Sequence, residues 1–255
     1  MAKVIACRIF SYGKHQERAW THLPEIGIRN VEMPAPPPAE WDDAKRKLKD
    51  HGLRATSLQS LCDLTKPDAV EVMRPQLEAC AAFESDICFL SAKPGETPLP
   101  VIWERLRAMG DVAAQHGVTI VLETHPPLIT NGDLGRETIQ AIDHPNVRIN
   151  FDTGNIHFYN KDMTALEELG KVADLTAAVH LKDHTGTFEE WSFPVLGQGV
   201  VDFPGIFRLL DERGIDGPCT MELEGTKGQE FTETEQCDYV AASVAYLRSL
   251  GVLDE

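Results

Sequence analysis

The stretch VTIVLETH, residues 118–125, decides how this chain is read. Its first five residues are apolar or β-branched, as in a strand buried on both faces, and the run then meets a carboxylate, Glu123. Three later stretches repeat the pattern: VRINFD ends on Asp152, LTAAVH on His180, and CTMELE carries Glu222. Working outward, four earlier strand-like runs bring the total to eight: Val4–Phe10, Ile28–Met33, Arg54–Leu58, Ile87–Leu90, Thr119–Glu123, Arg148–Asp152, Ala177–Leu181 and Cys219–Leu223. Their first residues are 24, 26, 33, 32, 29, 29 and 42 apart, about one strand–helix unit each, with a loop lengthening the last step. Amphipathic helical patterns fill gaps at Trp41–His51, Ala69–Phe83, Pro100–His116, Met163–Ala173, Phe203–Arg213 and Thr232–Leu250, and Gly52, Gly117, Gly214 and Gly251 follow four of them as C-terminal caps. Alternating strands and helices imply a parallel α/β fold. Eight units favour a closed (β/α)₈ TIM barrel over an open doubly wound sheet, which usually stops nearer six strands.

The 255 residues match the roughly 250 that one such barrel uses, so residues 1–255 are expected to form one domain. Pro34–Pro38 reads as a rim loop, because strand-like runs continue on both sides at the same spacing. Forty acidic against 24 basic residues, a net charge of −16, would repel phosphates, so no nucleic-acid partner is expected. The one basic cluster, KRKLK at 45–49, reads as a solvated helix face. Six cysteines without CxxC spacing suit a reducing compartment, and no apolar run approaches the ~18 residues of a membrane span or a signal segment. A cytoplasmic protein without a membrane partner is expected.

A parallel barrel brings the C-terminal ends of its strands to one rim, so Glu123, Asp152, His180 and Glu222 converge there although they are 29, 28 and 42 residues apart. Taken singly, each has an ordinary explanation: a helix cap, an ion pair with Lys182, or a core histidine. Together, three buried carboxylates would repel one another unless a cation joined them. The oxygen-rich set suits Mn²⁺, Mg²⁺ or Co²⁺ better than a thiolate-rich zinc site would, with Zn²⁺ left as an alternative.

These residues carry a resemblance. The segments VLETH, NFDTGN, VHLKDH, LGQGVVDF and MELEG resemble, in order and spacing, the sugar phosphate isomerase/epimerase family with its xylose isomerase-like TIM barrel. The resemblance implies a divalent metal, often manganese, on Glu123, Asp152, His180 and Glu222, and a homodimeric or homotetrameric assembly. It also implies that Glu123 and Glu222 serve as acid and base from opposite faces of a small sugar or keto-sugar, through a metal-stabilised enediolate. Three positions depart from the epimerases of that family. Asn155 stands where they carry a histidine, Gly186 where they carry an arginine, and Ile129 where they carry an acid.

Further candidates lie nearby. His125, two residues past Glu123, could supply a separate base, and equally could be a loop histidine bonded to backbone before Pro126-Pro127. Asn155, Lys182 and Trp191 are candidate substrate contacts, Trp191 being the tryptophan placed in the long loop after the seventh strand. Gly197-Gln198-Gly199 reads as a tight turn, with a phosphate cradle as the alternative. The leading expectation is a metal-dependent isomerase or epimerase. A lyase eliminating from a 3-keto sugar or glycoside, with His125 as base, and a non-catalytic sugar-binding barrel are the alternatives.

Overall fold

In the computed structural model, which describes residues 3–253, β1 (Ile5–Arg8) pairs in parallel with β2 (Asn30–Pro34), and the sheet continues through β3 (Arg54–Ser60), β4 (Ile87–Leu90), β5 (Thr119–Glu123), β6 (Val147–Asp152) and β7 (Thr176–Leu181). A two-residue β8 (Ser192–Phe193) stands outside this sheet and pairs antiparallel with β10 (Gly225–Thr226). Between them in sequence, β9 (Cys219–Met221) pairs with both β7 and β1 and closes an eight-stranded parallel barrel.

Among the described residues nine α-helices accompany the strands: α1 (Gln16–Glu25), α2 (Trp41–Asp50), α3 (Ala69–Ala82), α4 (Leu99–Gln115), α5 (Gly132–Ile142), α6 (Thr153–Tyr159), α7 (Ala165–Val172), α8 (Phe203–Arg213) and α9 (Glu233–Ser249). Gly52, Gly117, Gly214 and Gly251 all take the positive φ that ends a helix. Thr232 forms a reciprocal capping box with Glu235 at the start of α9.

Alternation along the strands sorts side chains into two sets. Ile120, Leu122, Ile149, Phe151, Val179 and Leu181 face the helices in the main core, whereas Ile87, Phe89, Val121 and Ala178 form a separate apolar plug within the barrel. Above that plug the inward positions become polar, so the site has an apolar floor. Phe89 stacks on the His180 ring at 4.7 Å between centroids.

Some elements differ from expectation. The first strand stops at Arg8, because Ile9–His15 winds into 3₁₀ turns kinked at Gly13. Helices α1, α5 and α6 stand outside the six expected helical stretches, each with a feature that weakens its helical signal: α1 includes Pro24, α5 includes Gly132 and Gly135, and α6 has seven residues beginning directly at the end of β6. No helix among the described residues is long and apolar enough to cross a membrane.

Candidate functional site

Glu123 is the last residue of β5, Asp152 the last of β6, His180 the last but one of β7, and Glu222 follows β9 directly. One ligand atom from each lies within 4.8 Å of the others. Asp152, His180 and Glu222 are buried and Glu123 is half-buried. His180 Nδ1 is 3.0 Å from Glu222 Oε2 and 3.9 Å from Asp152 Oδ2.

Asp152 serves two purposes, atom by atom. Its Oδ1 accepts the Asn155 N–H at 2.8 Å and caps α6, while its backbone N–H donates to Thr124 Oγ1. Its Oδ2 is sealed from water and receives no hydrogen bond of acceptable geometry, although Lys182 Nζ lies 3.2 Å away. A buried carboxylate oxygen without a hydrogen bond is costly unless something else meets it.

Two cations compensate part of the charge. Lys182 Nζ reaches Glu222 Oε2 at 2.9 Å and Glu224 Oε2 at 2.8 Å, and donates to Asn155 Oδ1 at 3.3 Å. Gly154 makes room for its stem, since a Cβ there would lie 2.7 Å from Lys182 Cγ. Burial disfavours charge on Lys182, but Asp152, Glu224 and Glu123 outweigh it and hold the ammonium well above its ordinary pKa.

Arg8 at the end of β1 places Nε 3.1 Å from Glu32 Oε1 and ion-pairs through Nη1 with Glu222 Oε1. Glu32, on β2, in turn accepts from Ser57 Oγ at 2.8 Å and lies 3.2 Å from His180 Nε2. Burial pushes the Glu32 carboxyl up, but His180, Arg8 and Ser57 prevail and its pKa lies below the ordinary range. A register shift between Val31 and Glu32 sets Glu32 opposite Ser57. Arg8 and Glu32 escaped the sequence reading. The signal was present as a lone acid between apolar residues in Val31-Glu32-Met33, and as a lone arginine inside the first apolar run.

In all, Glu32, Glu123, Asp152, Glu222 and Glu224 face the permanent cations Arg8 and Lys182, an excess of three negative charges. That excess, the orphaned Asp152 Oδ2 and the three-oxygen, one-nitrogen donor set fit a divalent cation held by Glu123, Asp152, His180 and Glu222. Glu32 would then hold the far nitrogen of the ligating imidazole, as outer carboxylates commonly do in metal sites.

The remaining candidates line a cavity of about 320 Å³ beside this cluster, where His125, Asn155, Lys182 and Trp191 meet Glu123 and Glu222. His125 donates its Nδ1–H to the Pro126 carbonyl at 2.6 Å, which leaves Nε2 to accept a proton, and its ring lies edge-on to Tyr159. The loop and cavity readings of His125 therefore coexist. Burial, with Glu123 nearby, pushes the Tyr159 hydroxyl up to about 12. Asn155 Nδ2 donates to the Thr124 carbonyl at 2.9 Å, which fixes the amide's orientation. Trp191 is 41% exposed and packs against Phe158 and Phe193. Ile129 lies in the core, and Gly186 packs beside Val200.

The Gly197–Gly199 turn is no phosphate cradle. Asp183 Oδ2 accepts the N–H groups of Gly197 and Gly199, both at 2.8 Å, while Oδ1 accepts those of His184 and Val201. A carboxylate already occupies the place a phosphate would take, and a Cβ on Gly199 would sit 2.3 Å from it. Asp183→Ala leaves four amides without their acceptor. It is expected to destabilise the chain by at least roughly 1.5–3 kcal/mol. Urea unfolding would measure this, and hydrogen exchange should quicken at Gly197, Gly199 and Val201; unchanged exchange there would refute the tether.

A family model described as the xylose isomerase-like TIM barrel matches residues 21–250. The chain belongs to that family. It is 31% identical over 182 residues to an inosose dehydratase of Geobacillus thermodenitrificans, spanning 60% of this chain and 59% of that protein. It is 27% identical over 223 residues to a ketose 3-epimerase of Arthrobacter globiformis, spanning 78% and 74%. Among solved structures, a xylose isomerase domain protein from Planctomyces limnophilus superposes with a TM-score of 0.77 at 23% identity, covering 98% of each chain. The match to the dehydratase thus covers less than two thirds of that protein's length.

Proposed function

We propose that this chain is a divalent-metal-dependent isomerase or epimerase of a small sugar or keto-sugar, moving a proton on the carbon beside a carbonyl. The observation that carries the reading is the convergence of Glu123, Asp152, His180 and Glu222 at the mouth of the barrel, with one oxygen of Asp152 left without a hydrogen bond. A bound divalent cation, manganese in this reading, would polarise a substrate carbonyl and acidify the neighbouring C–H. Glu123 supports the role of base: no hydrogen bond or ion pair reaches it among the described residues, and it faces the cavity. Lys182 and Asn155, which line the cavity, would hold substrate oxygens. Relatives named as a ketose 3-epimerase and an inosose dehydratase both point to a carbonyl-bearing polyol.

One observation favours β-elimination as a second reading. Glu222 Oε1 is ion-paired to Arg8, and its Oε2 faces His180 and Lys182, so a second base opposite Glu123 becomes available only if Arg8 lets go. Elimination needs a single base. The α-proton passes to Glu123 or His125, its electron pair forms the C=C bond, and the β C–O bond breaks, the proton then passing from that base to the departing oxygen, to which the Lys182 ammonium would hydrogen-bond.

The test is incubation of the metal-supplemented protein in D₂O with ketoses, hydroxypyruvate, inososes and 3-keto-glycosides, followed by NMR. Deuterium at the carbon beside the carbonyl, in substrate and isomer, is the expected result. An unsaturated product with a released substituent would transfer the assignment to the lyase, and no exchange with any substrate would reduce the site to a binding site.

A further inference from the structure

A second cavity, of about 500 Å³, adjoins the one described above, and the two share Trp191 and Glu224 as their common wall. Phe10 and Trp191, each 41% exposed, both line it, together with half-buried Phe231 and with Leu223. Gln229 and Glu224 add hydrogen-bonding groups. The walls are braced rather than loose. Ser11 Oγ bridges the Met221 carbonyl and the Leu223 N–H, Gln236 Nε2 holds the Ser11 carbonyl at 2.7 Å, and Phe231 stacks on Tyr239. The Arg8 guanidinium, which contacts Glu222 on the metal-site side, lies 5.9 Å from the Phe10 ring on this side. Exposed aromatic faces in a braced concavity beside a reaction site call for an occupant. Aromatic walls with hydrogen-bonding groups suit a ring that has one apolar face and a polar edge.

We infer that this annex is a substrate subsite for a second ring, aryl or pyranosyl, joined to the polyol that reacts at the Glu123–Glu222 cluster. The substituent passes between Trp191 and Glu224, so the chain selects a glycoside-like or aryl-bearing substrate over a free monosaccharide. The inference rests on the proposed reaction for which end reacts, and its test is independent of turnover.

Dissociation constants are measured by NMR titration of the protein, without added metal, for D-fructose, cellobiose and phenyl β-D-glucopyranoside, and again for Phe10→Ala. Phe10 is solvent-facing and outside the metal cluster, so the variant keeps its fold. At least one two-ring probe is expected to bind about tenfold tighter than D-fructose, with Phe10→Ala erasing the advantage and leaving D-fructose unchanged. Preference for the phenyl glucoside identifies an aryl occupant, and preference for cellobiose a pyranosyl one. Equal affinity for one- and two-ring probes, or an advantage that survives Phe10→Ala, overturns the subsite. Deuterium exchange without two-ring preference would leave the reaction standing and the annex refuted, whereas two-ring preference without exchange would do the reverse.

Discussion

Glu123→Gln is expected to lower the rate of solvent deuterium exchange by about 10²- to 10⁴-fold, the usual contribution of a positioned base. The substitution keeps the side chain's shape and one carbonyl oxygen that can still face a cation, but removes the second oxygen's capacity to take a proton. The loss should therefore fall on kcat, with divalent-cation affinity retained. The prediction discriminates because the two glutamates of the cluster are not equivalent. Glu222 is held by Arg8, His180 and Lys182, so Glu222→Gln also disrupts ion pairs and should lower stability and metal affinity together. Glu123 has no such partners among the described residues, so Glu123→Gln should melt close to the parent temperature. Full exchange in Glu123→Gln, beside none in a folded, metal-binding Glu222→Gln, would reverse the assignment of the base.

The barrel was legible because its signal is redundant. Eight apolar runs repeat at similar spacing, and misjudging the end of one, as with the first strand that turns into 3₁₀ geometry after Arg8, leaves the topology intact. The cluster of Glu123, Asp152, His180 and Glu222 was legible for a related reason: a polar residue ending an apolar strand stands out, and parallel strands end together. Arg8 and Glu32 were not, since their importance depends on which face of the strand they occupy. For Glu32 that is set by a register shift that no local pattern announces. The role of Asp183 was hidden for another reason. Its four hydrogen bonds run to backbone N–H groups, three of them 14 to 18 residues away, and backbone groups leave no trace in the residue types of a sequence. Helix α5 illustrates a third limit, because its glycines oppose helix propensity while tertiary packing demands them: a Cβ on Gly135 would meet Ile129 at 3.0 Å.

The deepest consequence of what the sequence concealed concerns Glu32. Its two oxygens answer Arg8, Ser57 and His180, and its side chain is 2% exposed. Glu32→Ala would strip the acceptor from His180 Nε2, leave Arg8 with Glu222 alone, and orphan the Ser57 hydroxyl. Removing one partner of a buried ion pair costs ~3–5 kcal/mol, and losing the outer partner of a ligating imidazole typically weakens metal binding by about 10- to 100-fold. Both effects are expected, the first by chemical unfolding without metal and the second by calorimetric titration with Mn²⁺. Glu32→Gln separates them. It keeps the volume and a carbonyl oxygen for His180 Nε2 but drops the charge opposite Arg8, so stability should fall while Mn²⁺ affinity stays nearer the parent value. A Glu32→Ala protein that binds Mn²⁺ as tightly as the parent would mean that His180 needs no orienting partner, and that Glu32 serves only to neutralise Arg8 inside the barrel.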